Sequence, residues 1–146
     1  MADTAPPLIV TGESKDAEHL RLLAILHYVF GGFHLLISCF GLVHIIIGTL
    51  MTTNAAMFRP NPPPSWVGTL LMFVGGAIIL LGWAWGLCTI YSGRCIARRQ
   101  RRTFSIVIAA LSCASFPFGT ALGVFTLIVL LRDSVRRLYA ESAPAR

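Results

Sequence analysis

The chain has 146 residues, of which 55% are hydrophobic and only 12% are charged, and its mean hydropathy is +0.74. Soluble domains carry about 25% charged residues, so this deficit excludes a soluble enzyme and an intrinsically disordered protein. The length allows one domain. The composition therefore predicts a small all-helical integral membrane protein in which residues 1–146 form a single membrane domain.

Charged residues are missing from three long stretches. No Asp, Glu, Lys or Arg occurs between Arg21 and Arg59, between Arg59 and Arg94, or between Arg102 and Arg132. Each stretch exceeds the roughly 20 residues that cross about 30 Å of hydrocarbon as a helix. Because the stretches show no alternation of polar and apolar residues, they indicate helices rather than strands of a membrane barrel.

The first two stretches each predict one membrane-spanning helix. A polar tail at residues 1–13 precedes helix 1 at residues 14–51, and a proline-rich external loop at residues 52–65 follows it. Helix 2 is predicted at residues 66–92, with an arginine-rich cytoplasmic loop at residues 93–102. Since the tail lacks the basic segment of a signal peptide, we expect helix 1 to be an uncleaved anchor.

The third stretch, residues 103–131, is interrupted by Pro117. It predicts either a short helical hairpin around residues 116–120, which gives four helices in total, or one helix kinked at Pro117, which gives three. A re-entrant loop is the intermediate possibility. The positive-inside rule favours the hairpin, because the loop before it and the tail after it, residues 132–146, are both basic. Both chain ends are then cytoplasmic, and the tail is predicted to be an amphipathic helix on the membrane surface.

Small residues recur at the intervals that place them on one helix face. Helix 1 and helix 2 each carry such a stripe at steps of three, four or seven residues, and the hairpin carries a GxxxG pair. We expect the stripes to pack against each other within the chain or against a partner. The predicted packing residues are Gly31, Ser38, Gly41, Gly48, Gly68, Gly75, Gly82, Gly86, Gly119 and Gly123.

All four histidines lie on helix 1 or just before it, and two of them, His27 and His34, share a helix face within the apolar stretch. Three interpretations remain open. Neutral imidazoles can hydrogen-bond to a neighbouring helix, His27 or His34 can ligate a haem or a chlorophyll-type pigment, or the histidines can relay protons, which the absence of a carboxylate from the predicted spans disfavours. The first interpretation requires no cofactor and is the one we expect.

The basic loop predicts contact with anionic lipid headgroups rather than with nucleic acid, because it is a short segment held between two helices. Its arginines are Arg94, Arg98, Arg99, Arg101 and Arg102. The four cysteines form neither a CxxC motif nor the spacing of a metal site, and no nucleophile, zinc-protease or phosphate-loop motif is present. We therefore expect no catalytic residue and no metal site.

Residues 116–127, FPFGTALGVFTL, resemble an FPFGTxLGxxTL-type C-terminal signature of small uncharacterised bacterial inner-membrane proteins with several spans. Residues 20–32, which include the pairs His27-Tyr28 and Gly31-Gly32, are similar to the first span of the same group. The resemblance implies a location in the bacterial inner membrane. It supplies no catalytic residue.

Taken together, the sequence predicts a non-enzymatic membrane subunit or scaffold. We expect it to pack into a larger membrane complex or a homo-oligomer through its glycine-rich faces, with the lipid bilayer and other membrane subunits or itself as partners. The alternative is a subunit that binds a haem or a chlorophyll-type pigment. Transport is a third class, supported only by the helix break at residues 117–119.

Overall fold

The computed structural model describes the backbone of residues 9–58 and 60–141 and the side chains of residues 15–54, 56–58 and 60–140. This part of the chain is helical and contains no strand, which confirms the predicted all-helical class. The helices are α1 (Ile9–Ser38), α2 (Gly41–Thr53), α3 (Ser65–Ala97), α4 (Arg102–Ser112), α5 (Phe118–Leu130) and α6 (Asp133–Glu141), with a short 3₁₀ helix at Ala55–Phe58.

Two helical segments are long and apolar enough to cross a membrane. The first, Lys15–Thr53, combines most of α1 with α2, and the second, Ser65–Ala97, is α3. Each contains an 18-residue stretch with a mean hydropathy of 2.1. A third candidate arises only if α5 and α6, which meet at an angle of 71°, are taken as one broken span. The two long helices agree with the predicted class of helical membrane protein.

The first spanning segment is not the single helix predicted at residues 14–51. Helix α1 begins earlier than predicted, at Ile9, and the helical stretch is interrupted at Cys39 and Phe40. Just before the interruption, the hydroxyl of Ser38 donates a 2.6 Å hydrogen bond to the carbonyl oxygen of His34, a bond that favours bending. The N–H groups of Cys39 and Phe40 bond to carbonyls three residues back instead of four.

The other predicted boundaries shift by a few residues. Helix α3 ends at Ala97, beyond the predicted residue 92, so it includes the first part of the predicted basic loop. The predicted external loop at residues 52–65 contains the end of α2 and the 3₁₀ helix. Residues 1–8 of the predicted polar tail and residues 142–146 of the C-terminal tail lie outside the described part of the chain.

The chain divides into two compact units. The first, which we call the glycine unit, is Gly31–Cys88. The second, the hairpin unit, consists of Met1–Phe30 and Thr89–Arg146. The hairpin unit has a core of buried apolar side chains: Leu20, Leu23, Ala24, Ile96, Leu122, Val129, Leu130, Val135, Leu138 and Tyr139.

Helices α4 and α5 form an antiparallel pair within the hairpin unit. Arg102 at the start of α4 bonds to Leu130 at the end of α5. Closer to the turn, the hydroxyl of Thr120 donates a 2.7 Å hydrogen bond to the carbonyl oxygen of Cys113. The chain therefore folds back at residues 113–117 and does not continue as one helix kinked at Pro117.

Helix α6 packs its apolar side on the protein. The predicted surface helix would bury Val135, Leu138 and Tyr139 in the membrane, but all three are buried in the core of the hairpin unit. The bend of 71° between α5 and α6 turns α6 back toward this core. The helix is amphipathic, as predicted. Its apolar face is covered by neighbouring helices of the hairpin unit, whereas the sequence predicted that lipid would cover it.

Candidate functional site

Direct backbone contacts join the helices of the glycine unit. Gly41 faces Gly75, and a Cβ built on either residue would lie 2.5 Å from the carbonyl oxygen of the other. Gly48 and Gly68 face each other in the same way, at 2.5 and 2.8 Å. Since real Cβ atoms essentially never come within 3.0 Å of another atom, only glycine permits this separation.

Two further pairs continue this contact. Gly82 packs directly against the side chain of Ser38, and a Cβ built on Gly86 would lie 2.9 Å from the carbonyl oxygen of Gly31. The four pairs include all eight packing residues predicted in the first two spans. Their order along α3 is the reverse of their order along α1 and α2, so the packing is antiparallel. We call this set of four pairs the glycine seam.

The two glycines of the hairpin pack against α4 and the turn. Gly123 lies against the backbone of Ala109, and a Cβ on Gly123 would lie 2.6 Å from Sγ of Cys113. A Cβ on Gly119 would lie 2.6 Å from the carbonyl oxygen of Ser112 and 3.1 Å from Cζ of Phe30 on α1. Both glycines therefore hold the arms of the hairpin close together.

His27 is fully buried in the hairpin unit. Its Nδ1 lies 2.9 Å from the carbonyl oxygen of Leu23, one turn earlier in the same helix. Because a carbonyl oxygen only accepts, Nδ1 carries the proton and Nε2 presents its lone pair. Among the residues that the structure describes, Nε2 has no hydrogen-bond partner. A neutral imidazole with Nδ1 held by a carbonyl is the usual form of a metal-ligating histidine.

His19 and His44 also bond to their own helix. Nδ1 of His19 lies 2.6 Å from the carbonyl oxygen of Lys15, and Nδ1 of His44 lies 3.4 Å from that of Phe40. His34 is half-buried. The bonds of His19, His27 and His44 do not follow the predicted pattern of interhelical imidazole bonds, because the carbonyl four residues back lies within reach of each ring.

The basic loop follows α3 directly. Arg94, Arg98 and Arg101 are exposed, whereas Arg99 is half-buried. Arg102 differs from the others because its guanidinium donates to the carbonyl oxygen of Leu130, from Nε at 3.0 Å and from Nη2 at 2.6 Å. This bond ties Arg102 to the end of α5. The contact of the five loop arginines with lipid headgroups stays a prediction.

Helix α3 ends in a Schellman motif that places an arginine where glycine is usual. The N–H of Gln100 bonds to the carbonyl oxygen of Cys95 at 2.9 Å, and the N–H of Arg99 bonds to that of Ile96 at 3.1 Å. Arg99 has φ of 50° and Arg101 has φ of 48°. Side chains rarely occupy this left-handed region. The loop thus keeps two arginines in conformations that would suit glycine better.

An ion pair connects α1 with the segment between α5 and α6. Nη1 of Arg132 lies 3.5 Å from Oδ1 of Asp16, and the side chain of Asp16 is largely buried. Asp16 lies in the second turn of α1. This pair, together with the bond between Arg102 and Leu130, fixes the base of the hairpin unit.

Tyr139 on α6 carries a buried hydroxyl that has no hydrogen-bond partner in the described part of the chain. Burial, and after it the charge of a Cys95 thiolate, raise the pKa of this phenol, Arg102 and Arg99 lower it, and the net result is a pKa of about 12. The phenol therefore stays neutral over the physiological range.

Sequence reasoning missed several residues that build these sites. Gly93 packs against His27, and a Cβ built on Gly93 would lie 2.9 Å from the Cβ of His27. Gly93 lies seven residues after Gly86, which puts both on one face of the helix, and this spacing could have revealed Gly93 as a packing residue. The contacts of Arg102 and Asp16 had no such signal, because their partners are 28 and 116 residues away.

Comparisons with protein-family profiles, curated proteins and solved structures find no match for this chain. Within the described residues, no group of three or more His, Cys, Asp or Glu side chains could hold a metal ion. Two features of the structure could support a function. One is the glycine seam, which brings helix backbones together, and the other is the buried imidazole of His27.

Proposed function

We propose that the protein is a non-enzymatic membrane subunit or scaffold that associates with other membrane proteins or with a second copy of itself. The observation that carries this proposal is the glycine seam, in which Gly41 meets Gly75 and Gly48 meets Gly68 through their backbones. Helices held at this distance bury their small residues and leave the large apolar ones outside. The seam thus supports a rigid helix pair with an apolar outer surface.

The outer surface of the glycine unit carries large apolar side chains. Phe73, Leu80 and Leu81 on α3 are mostly exposed. A Cβ built on Gly76, between them, would meet nothing within 4 Å. Since the predicted glycine faces are occupied by each other, association through the membrane would use this outer side. This changes the surface expected from the sequence but not the expected class of function.

The proposal includes a topology. We propose that Lys15–Thr53 and Ser65–Ala97 cross the inner membrane of a bacterium and that α4 and α5 enter it as the other two helices of a four-helix bundle. Both chain ends would then be cytoplasmic. The ion pair between Asp16 and Arg132 supports this placement, because it holds the first and last parts of the chain at the same side. Arginines 94, 98, 99 and 101 would meet anionic lipid headgroups there.

Native mass spectrometry of the protein, released from membranes in a mild detergent or in lipid nanodiscs, tests the proposal. We expect a homo-oligomer or a complex with another membrane protein. Gly76→Leu should weaken that assembly without changing the fold, because the added side chain points into open space. Ala110→Leu, at an exposed position of α4 outside the glycine unit, adds the same side chain and is the matched control. Recovery of monomer alone in both detergent and nanodiscs would contradict the proposal.

A second candidate function rests on His27. Its burial, the bond from Nδ1 to Leu23 and the unpartnered Nε2 suit a ligand to the iron of haem or the magnesium of a chlorophyll-type pigment. Such a group would supply electron transfer or light absorption. The protein would contribute the imidazole, its orientation and an apolar surrounding. A haem held by two histidines would require His27 or His34 from two chains, because no other predicted span carries a histidine.

The absorption spectrum of the purified protein tests this candidate. A Soret or pigment band should be present in the wild type and absent in His27→Leu, while His44→Leu, which changes a histidine of the same spanning segment, should retain it. His34→Leu tests the second proposed ligand. A spectrum without bands above the aromatic absorption, in protein from membranes supplied with haem, would eliminate the candidate.

A further inference from the structure

The arms of the α4–α5 hairpin are too short to cross a bilayer. Helix α4 has 11 residues and α5 has 13. At about 1.5 Å per residue they extend roughly 17 and 20 Å, whereas the hydrocarbon core is about 30 Å thick. Each crossing arm would need about 20 residues. The length of the hairpin therefore places its tip inside the bilayer if its base lies at the surface.

The base of the hairpin has the charges that belong at a membrane surface. The guanidinium of Arg102 bonds to the carbonyl oxygen of Leu130, and the guanidinium of Arg132 lies 3.5 Å from the carboxylate of Asp16. Between Arg102 and Arg132 the sequence contains no charged residue. Charged groups are costly inside hydrocarbon, so both ends of the hairpin must lie on the same, polar side.

A second measure of depth comes from α1. Asp16 is paired at the base, and Phe30 touches the tip, where a Cβ on Gly119 would lie 3.1 Å from Cζ of Phe30. The helical rise from residue 16 to residue 30 is about 21 Å. This agrees with the length of the arms. Both measures put the tip at roughly two thirds of the hydrocarbon thickness.

The tip is apolar on the outside, and much of its backbone is hydrogen-bonded. Phe116 is 88% exposed and Phe118 is 75% exposed. The N–H of Ser115 bonds to the carbonyl oxygen of Ser112 at 2.9 Å, and the N–H of Gly119 bonds to that of Ser115 at 2.8 Å. Internal bonds of this kind lower the cost of placing a non-helical segment in hydrocarbon.

We propose that α4 and α5 form a re-entrant hairpin, which enters and leaves the membrane at one face and seats Phe116 and Phe118 among lipid acyl chains. The occupant of this apolar tip is therefore lipid. The proposal goes beyond the scaffold function and does not depend on it, because a re-entrant hairpin can exist with or without a partner subunit. The chain then crosses the membrane twice, with Lys15–Thr53 and Ser65–Ala97, and the α4–α5 hairpin enters the membrane without crossing it.

Side-specific labelling tests the proposal. Single cysteines are introduced at residue 116 (Phe116→Cys), in the loop after α2 (Asn61→Cys) and in the basic loop (Arg98→Cys), in a chain whose native cysteines are replaced by alanine. A membrane-impermeant maleimide is applied to right-side-out and inside-out vesicles. Asn61→Cys and Arg98→Cys should react from opposite sides. Phe116→Cys should react from neither side until detergent is added. Labelling of Phe116→Cys from either side would overturn the proposal.

Spin labels along the hairpin supply an independent depth profile. Labels are placed at exposed positions on both arms and at the tip, and their accessibility to oxygen and to a polar nickel complex is compared in nanodiscs. The positions are Val107, Leu111, Phe116, Val124 and Ile128. A re-entrant hairpin gives one maximum of depth, at residue 116. A hairpin that crosses gives two maxima, one in each arm, and a hairpin outside the membrane gives none, and either result would overturn the proposal.

Removal of four cysteines can disturb folding, since Cys95 is buried and Cys113 touches Gly123. The circular dichroism spectrum of the cysteine-free chain is therefore compared with that of the wild type. If they differ, the same substitutions are made in the wild-type chain and the labelling of the wild type is subtracted. The exclusion of Phe116→Cys from both sides remains the expected result in either background.

Discussion

Arg102 and Leu130 close the base of the hairpin across 28 residues of sequence. The guanidinium of Arg102 donates from both Nε and Nη2 to one carbonyl oxygen. That oxygen belongs to the last turn of α5, where carbonyls lack partners in their own helix. A side chain from the start of one arm therefore completes the end of the other.

Removing this bond should loosen the hairpin. Arg102→Met leaves the carbonyl of Leu130 without the charged donor, and because the site is half-buried we expect a loss of about 1–2 kcal/mol in the free energy of unfolding. Arg102→Lys should retain part of this stability, since lysine keeps the positive charge but lacks the planar guanidinium group with its several N–H donors. Arg98→Met removes the same charge from an exposed position and serves as the control. Unfolding by sodium dodecyl sulfate in mixed micelles measures the difference. Equal stability of Arg102→Met and Arg98→Met would contradict the assignment.

The neighbours Gly75 and Gly76 give a matched test of the glycine seam. A methyl group at residue 75 would lie 2.5 Å from the carbonyl oxygen of Gly41, whereas at residue 76 it would meet nothing within 4 Å. We expect Gly75→Ala to destabilise the protein by about 1–3 kcal/mol, the usual cost of overpacking. Gly76→Ala should be neutral or stabilise α3 by up to about 1 kcal/mol. The same micelle unfolding assay, with circular dichroism, measures both. A larger loss for Gly76→Ala would be incompatible with the seam.

Features that depend on neighbours along the chain were visible in the sequence. The gaps between charges located both helices that are long and apolar enough to span a membrane, because a buried charge is costly in lipid. The spacing of the small residues placed Gly41 and Gly48 on one face and Gly68 and Gly75 on another, because a helix repeats every 3.6 residues. The structure brings these two faces together.

Features that depend on contacts between distant residues were not visible. The polar stripe of α6 is equally compatible with a membrane surface and with a protein surface, and only the core residues that cover Val135 and Leu138 decide between them. The break after Ser38 could not be predicted from its hydroxyl bond, because Thr49 and Thr69 make the same bond to the carbonyl four residues back and their helices continue. Nothing in the sequence distinguishes Arg102 from the other loop arginines, and its hydrogen bond to Leu130 is visible only in the folded structure.

Arg99 offers a stabilising substitution. It occupies the left-handed position of the Schellman motif, with φ of 50°, where glycine avoids a cost of about 1–2 kcal/mol. Part of this gain is lost to the greater flexibility of unfolded glycine, so Arg99→Gly should raise the free energy of unfolding by about 1 kcal/mol. Arg98→Gly, at a residue without positive φ, should lower it. Thermal unfolding in detergent distinguishes the two variants. If Arg99→Gly proves less stable than the wild type, the arginine side chain contributes more than its backbone costs.

The buried phenol of Tyr139 should make stability depend on pH at the alkaline end. An exposed tyrosine ionises near pH 10, whereas burial raises the pKa of Tyr139 to about 12. The folded state therefore holds this proton more tightly than the unfolded state does. The resulting stability is fully present below pH 10 and is lost as pH rises through 12.

Tyr139→Phe isolates this effect. The hydroxyl has no hydrogen-bond partner among the described residues, so its removal should leave stability at pH 8 unchanged or slightly higher. The difference in unfolding free energy between wild type and Tyr139→Phe should then grow in favour of the variant, by roughly 2–3 kcal/mol between pH 9 and pH 12. Tyr91→Phe, at an exposed ring that packs on Phe104, controls for general tyrosine ionisation. A constant difference across this range would show that the hydroxyl of Tyr139 reaches water in the folded protein.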